Sequence, residues 1–136
     1  MKLFLTGGTG LVGRSLTKTL LQQGWEVTAL VRNPASQPAQ IIQQLGATLV
    51  TGDVVDKESM RSAMTHADVV IHNAAWFELG IPKAKQTEMY TINVIGTENT
   101  LNLAVELNIP KIIYTSSVTA LGPSGPGNIA AETHQR

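Results

Sequence analysis

The chain has 136 residues, ten Lys and Arg balanced by ten Asp and Glu, no cysteine, and 43% hydrophobic residues. That length holds one domain, able to bury roughly two-thirds of its unfolded surface. Zero net charge with no basic stripe argues against a nucleic-acid partner, and the absence of cysteine removes disulfides, thiolate catalysis and cysteine–zinc sites. The N-terminal apolar run is too short for a signal-peptide core and no stretch approaches a membrane span, so a soluble cytoplasmic protein, away from membranes, is expected.

Lys2 to Thr6 predicts a first β-strand, and Leu11 to Gln23 a helix with Leu11, Leu16 and Leu20 on or near one face, ending near Gly24. Trp25 to Val31 reads as a second strand, Pro34 to Pro38 as a loop, and Ala39 to Leu45 as a short helix closed by Gly46. Ala47 to Thr51 is a third strand. Asp56 to Thr65 predicts a helix with Asp56 as N-cap and Glu58 as an acid in its first turn. Asp68 to His72 is a fourth strand, followed by a loop through Gly80 and Pro82. Lys85 to Leu107 reads as one long helix, Lys111 to Thr115 as a fifth strand bounded by Pro110, and Gly122 to Gly127 as a loop. This alternation implies parallel strands with right-handed crossovers: an α/β, Rossmann-type doubly wound sheet of about five strands in the order 3-2-1-4-5. Near-continuous apolar strands such as Val69-Val70-Ile71 suit a sheet covered on both faces.

The most specific segment is Thr6-Gly7-Gly8-Thr9-Gly10-Leu11-Val12-Gly13, between the first strand and the first helix. A glycine-rich turn in that position is how a parallel α/β sheet holds a dinucleotide pyrophosphate, because the first helical N–H groups lack partners and point at the anion. Gly7 allows the tight turn, Gly10 the close approach of backbone to phosphate, and Gly13 the packing of helix against strand. The second strand is expected to end near the adenosine ribose, where an acid would take the NAD hydroxyls. It ends instead at Val31-Arg32-Asn33. The planar fork of Arg32 suits a phosphate, so NADP is favoured over NAD, unless Arg32 is simply a solvated strand-end arginine. Asn33 could add a hydrogen bond to the same phosphate. Asp53 could accept from the adenine amino group with Val54 against the ring, or it could close an Asx turn. Asn73, Ala74 and Ala75 after the fourth strand would let backbone approach the cofactor. His72 reads as a packed strand-end histidine, since no His or acid partner stands in motif spacing. His66 and His134 read as surface residues, and no metal site is evident. Thr115, Ser116 and Ser117 end the central fifth strand, where a serine could polarise a substrate carbonyl or be an ordinary loop residue.

In this order, Thr6 to Gly13, Gly52-Asp53-Val54, His72-Asn73-Ala74-Ala75, Asn93-Val94-Ile95-Gly96-Thr97 and Tyr114-Thr115-Ser116-Ser117-Val118 resemble the extended short-chain dehydrogenase/reductases. This is the NAD-dependent epimerase/dehydratase superfamily, and the likeness is greatest to its dihydroflavonol-reductase-like and sugar-epimerase-like branches. The resemblance implies that Gly7, Gly10 and Gly13 form the pyrophosphate turn with Thr9, Leu11 and Val12 beside it. It implies that Asp53 and Val54 meet adenine, and that Asn73, Ala74 and Ala75 line the cleft. It further implies that Asn93 supports a proton relay, that Ser117 is a catalytic serine, and that Thr115 and Ser116 are its cofactor-side neighbours. The family's acid/base is a tyrosine followed four positions later by a lysine. Here Tyr90 is followed at that spacing by Val94 and Tyr114 by Val118. The chain is therefore read as the first five βα units of a longer reductase or epimerase acting on a carbonyl or alcohol, inactive alone. A non-catalytic NADP sensor or interaction module is the alternative. Dimerisation through Lys85 to Leu107 is also expected, as is exposed apolar surface on the fifth strand.

Overall fold

The computed structural model describes residues 1–121 together with Gly125, Gly127 and Ala131. The expected loop at Gly122 to Gly127 lies outside these residues except for Gly125 and Gly127, and His134 lies outside them as well. Five parallel strands, β1 Lys2–Thr6, β2 Glu26–Val31, β3 Thr48–Thr51, β4 Val69–His72 and β5 Lys111–Tyr114, form one sheet in the order β3-β2-β1-β4-β5. The expected order holds, and strand ends differ from expectation by a residue at most.

Alternation along β1 explains the layering. Leu3 and Leu5 face one side with Val27, Ala29, Val31, Val69 and Ile71, covered by Leu20 of α1 (Leu11–Gln22) and by Ala39 and Ile42 of α2 (Gln37–Gln44). Phe4 faces the other side with Leu30 and Val70, against Met60 and Met64 of α3 (Lys57–Met64) and Leu103 and Ala104 of α5 (Gly96–Glu106). The sheet is thus apolar on both faces, as helix-covered parallel strands require. At β5 the cover thins: Ile113 and Tyr114 are 44% and 49% exposed.

Three expectations are corrected. Leu11 is not on the core face of α1 but is 81% exposed; the buried stripe is Gly13, Thr17 and Leu20. Thr17 is accepted there because its hydroxyl donates to the Gly13 carbonyl at 2.8 Å. The helix α2 starts at Gln37, before Pro38, because proline is tolerated in a first turn whose N–H groups have no helical partner. The long helix runs from α4 (Lys83–Tyr90) to α5, but its middle, Thr91–Ile95, widens into a π-turn. Such turns arise where one extra residue is accommodated, often at functional sites, and an α-period pattern does not reveal them.

Asp56 caps α3 as expected, its side chain accepting from the Ser59 N–H at 3.4 Å. At that length the cap is weak. Asp56→Ala is expected to lower stability by only about 0.5 kcal/mol in urea unfolding, the low end for N-caps.

Candidate dinucleotide cleft

The carboxyl ends of the strands open on a cleft of about 1060 Å³. It is lined from the glycine turn by Gly7, Thr9, Gly10, Leu11 and Val12, from the end of β2 by Arg32, and from the β3 loop by Asp53 and Val54. The loop after β4 contributes Asn73, Ala74 and Ala75. All of these were read as site residues from sequence. Trp76, Phe77, Glu88 and Ile92 also line it and were missed. The first two directly follow Ala75, so continuing the strand-end reading would have found them. The helical pair is brought in only by tertiary packing.

The turn is tight for stated reasons. Gly7 has φ +71°, and a Cβ on it would stand 2.6 Å from the Asn73 carbonyl oxygen and 2.7 Å from the Ala74 nitrogen. Glycine therefore serves both the left-handed conformation and the closeness of the two strand ends. Gly10 donates to the Gly7 carbonyl at 3.1 Å and is the N-cap of α1. Gly13 does pack closely, yet against the turn rather than the strand: a Cβ there would lie 2.0 Å from the Gly7 oxygen.

Two helices show how the cleft differs from an ordinary helix start. At α3 the orphan N–H groups meet the chain's own carboxylates, Asp56 as cap and Glu58 in the first turn. At α1 there is no side-chain cap and no acid in the first turn. The partial positive charge at that end, facing the cleft, is left for an outside anion.

Asp53 does close an Asx turn, accepting from the Val55 N–H at 3.2 Å through Oδ1. Its Oδ2 makes no hydrogen bond among the described residues, so the turn and a ligand contact are compatible. The loop is held by residues the sequence reading missed. Ser59 Oγ accepts from the Asp53 N–H at 3.1 Å and offers its one proton to the Asp56 carbonyl at 2.6 Å, with the Asp53 carbonyl at 3.1 Å beside it, and Asn99 Nδ2 donates to the carbonyls of Val54 and Val55. Asn33 is not among the cleft-lining residues; its Oδ1 accepts from the Ala35 N–H at 3.0 Å and closes the following turn. Thr115, Ser116 and Ser117 follow β5 and are exposed, on the same rim but outside the cleft lining.

Asn93 lies in the π-turn, and its amide clamps the Trp76 backbone at both ends: Oδ1 accepts from the Trp76 N–H at 2.7 Å and Nδ2 donates to its carbonyl at 2.8 Å. His72 is fully buried, stacked on the Tyr114 ring at 5.7 Å, and burial pulls its pKa down to about 4. It is the packed strand-end residue expected. Among the described residues no cluster of three or more His, Cys, Asp or Glu side chains could hold a metal, and no helix is long and apolar enough to cross a membrane.

A five-stranded 3-2-1-4-5 parallel sheet with a glycine turn entering α1 defines a Rossmann domain of the short-chain dehydrogenase/reductase type. The chain belongs to the 3-beta hydroxysteroid dehydrogenase/isomerase family, whose profile matches residues 4–136. A dihydroflavonol 4-reductase-like protein of Synechocystis sp. is 39% identical over 97% of this chain and 37% of its own length. The crystal structure of gox2253 superposes with a TM-score of 0.85 at 35% identity, covering 98% of this chain and 39% of that one. UDP-glucose 4-epimerase from Bifidobacterium longum, crystallised with NAD+ and UDP, gives a TM-score of 0.77 at 28% identity, covering 98% and 43%. The chain therefore spans less than half the length of each of these proteins.

Proposed function

We propose that residues 1–136 are the NADP(H)-binding domain of a cytoplasmic extended short-chain reductase or epimerase acting on a carbonyl or alcohol. The observation that carries this reading is the uncapped N-terminus of α1 opening on a large cleft with Arg32 at its rim. The turn from Gly7 to Gly13, with the first N–H groups of α1, suits the pyrophosphate. Arg32 suits the 2′-phosphate of NADP, Asp53 the adenine amino group, and Val54 its ring. Asn73, Ala74 and Ala75 leave room along the cleft, while Thr115 and Ser116 stand towards the reacting end. In this reading Ser117 donates a hydrogen bond to a substrate carbonyl and Asn93 holds the Trp76 wall of the site. The nicotinamide would supply or take the hydride. Neither tyrosine has a lysine four residues on, so these residues bind dinucleotide without turning it over. Self-association through the 83–106 helix belongs to the same reading, since α4 buries none of its residues.

Titrating NADPH and NADH into the chain by nicotinamide fluorescence tests the cofactor reading, with NADPH expected to bind more tightly. Arg32→Ala is expected to weaken NADPH about tenfold, one charge-assisted phosphate contact, and NADH by no more than about twofold. Equal losses would remove the phosphate role of Arg32. Binding of neither nucleotide would end the proposal, as turnover of NADPH with a panel of ketones would end the claim of an inactive domain.

A further inference from the structure

Thr6 Oγ1 is the meeting point of three hydrogen bonds. It accepts from the backbone N–H groups of Asn73 and Ala74, both at 3.2 Å, and lies 2.8 Å from His72 Nδ1. A hydroxyl has two lone pairs and one proton. With both lone pairs taken by amides, its proton goes to Nδ1. The imidazole therefore accepts at Nδ1 and carries its own proton on Nε2, which it donates to Thr97 Oγ1 at 2.9 Å. Thr97 in turn donates to the Asn93 carbonyl at 2.8 Å. The opposite tautomer would press a third donor on Thr6, and it would take the single Thr97 proton from the Asn93 carbonyl to satisfy a bare Nε2.

The count at Thr6 thus selects the tautomer, and with it Thr97 keeps its bond to the Asn93 carbonyl. The chain of bonds starts at the residue preceding the glycine turn, crosses the carboxyl end of the sheet, and finishes on the π-turn that carries Asn93. Asn93 then grips Trp76, a residue of the cleft wall. We propose that His72 is a positioning residue, a single-tautomer strut that holds the Asn73–Trp76 wall of the cleft in register with both the glycine turn and the Asn93 helix. Buried networks with every member satisfied rigidify in this way. The role in binding rests on the dinucleotide reading above; the tautomer does not.

The test has two arms, so that the two readings fail separately. Long-range proton–nitrogen correlation spectra of the nitrogen-15-labelled chain report which ring nitrogen of His72 is protonated, the signal being assigned by its loss in His72→Gln. A protonated Nε2 and bare Nδ1 are expected; a protonated Nδ1 overturns the strut and leaves the cofactor reading untouched. In the second arm, Thr97→Val is expected to weaken NADPH about tenfold, with Thr97→Ser restoring affinity to within about twofold. Wild-type affinity in Thr97→Val overturns the positioning role. Should the valine variant not fold, a folded Thr97→Ser chain that binds NADPH about tenfold more weakly than the wild type overturns it too. Failure of the wild-type chain to bind any dinucleotide removes both the cofactor reading and the positioning role.

Discussion

Gly13→Ala is expected to lower the stability of the chain by about 2 kcal/mol and its dinucleotide affinity by about 100-fold or more. The added Cβ would stand 2.0 Å from the Gly7 oxygen and 2.8 Å from both the Gly7 carbonyl carbon and the Gly8 Cα. Every one of these atoms is backbone, so no rotamer change relieves the contact. Either α1 slides away from the sheet, uncovering Thr17 and Leu20, or the turn opens and Gly7 loses its fit against Asn73. Overpacking of this kind costs about 1–3 kcal/mol, and alanine returns up to about 1 kcal/mol of helix propensity, which sets the net figure. Urea unfolding and NADPH titration read the two effects. Lys18→Ala, on the exposed side of the same helix, is the control and should stay within about 0.5 kcal/mol. A Gly13→Ala chain that binds as the wild type does would show that the turn does not need this closeness.

The second large effect is a loss of stability in mild acid, set by His72. Its folded pKa is about 4 against an ordinary 6.5, because burial opposes the charged ring. The unfolded chain therefore binds this proton more readily than the folded one between those two values. Stability is fully present above pH ~6.5, declines as pH falls through the window, and is about 3 kcal/mol lower near pH 4. Protonation would also put a proton on Nδ1, against a Thr6 oxygen whose lone pairs are already used. The ion pairs on the α3–α5 surface act lower on the scale. The Arg61 guanidinium holds Glu58 below the usual carboxylate range, and Lys57 with Arg61 does so for Glu106, so those groups release stability only as pH falls below the ordinary carboxylate value. They are exposed, and their share is small. Urea midpoints from pH 7.5 down to 4 should fall steeply in the wild type and more gently in His72→Gln. Parallel curves would show that His72 is not the group responsible.

The order 3-2-1-4-5 and the location of the cleft were legible in the chain because both follow from local rules. Apolar runs of strand length alternate with helical periods, and Gly7, Gly10 and Gly13 stand where a strand hands over to a helix. Arg32 and Asp53 were legible for the same reason, since each follows a strand's carboxyl end by one or two residues. Where several roles fit one residue, sequence left them open. Asp53 could close a turn or face the cleft, and the structure has it do the first while lining the second.

What the sequence determined by itself is therefore the succession of elements and the residues that end each strand, because backbone preference, alternation and glycine placement act within a few positions. What only the tertiary structure decided is which side chains complete one another. The buried stripe of α1 is Gly13, Thr17 and Leu20 with Leu11 left exposed, because Gly13 meets the glycine turn's own backbone while Leu20 packs on the sheet. His72 meets Thr6, 66 residues away in sequence, and Thr97, 25 residues away, while Asn93 reaches Trp76 across the π-turn. Buried polar atoms must find partners wherever the fold brings them, and that requirement carries no period along the chain.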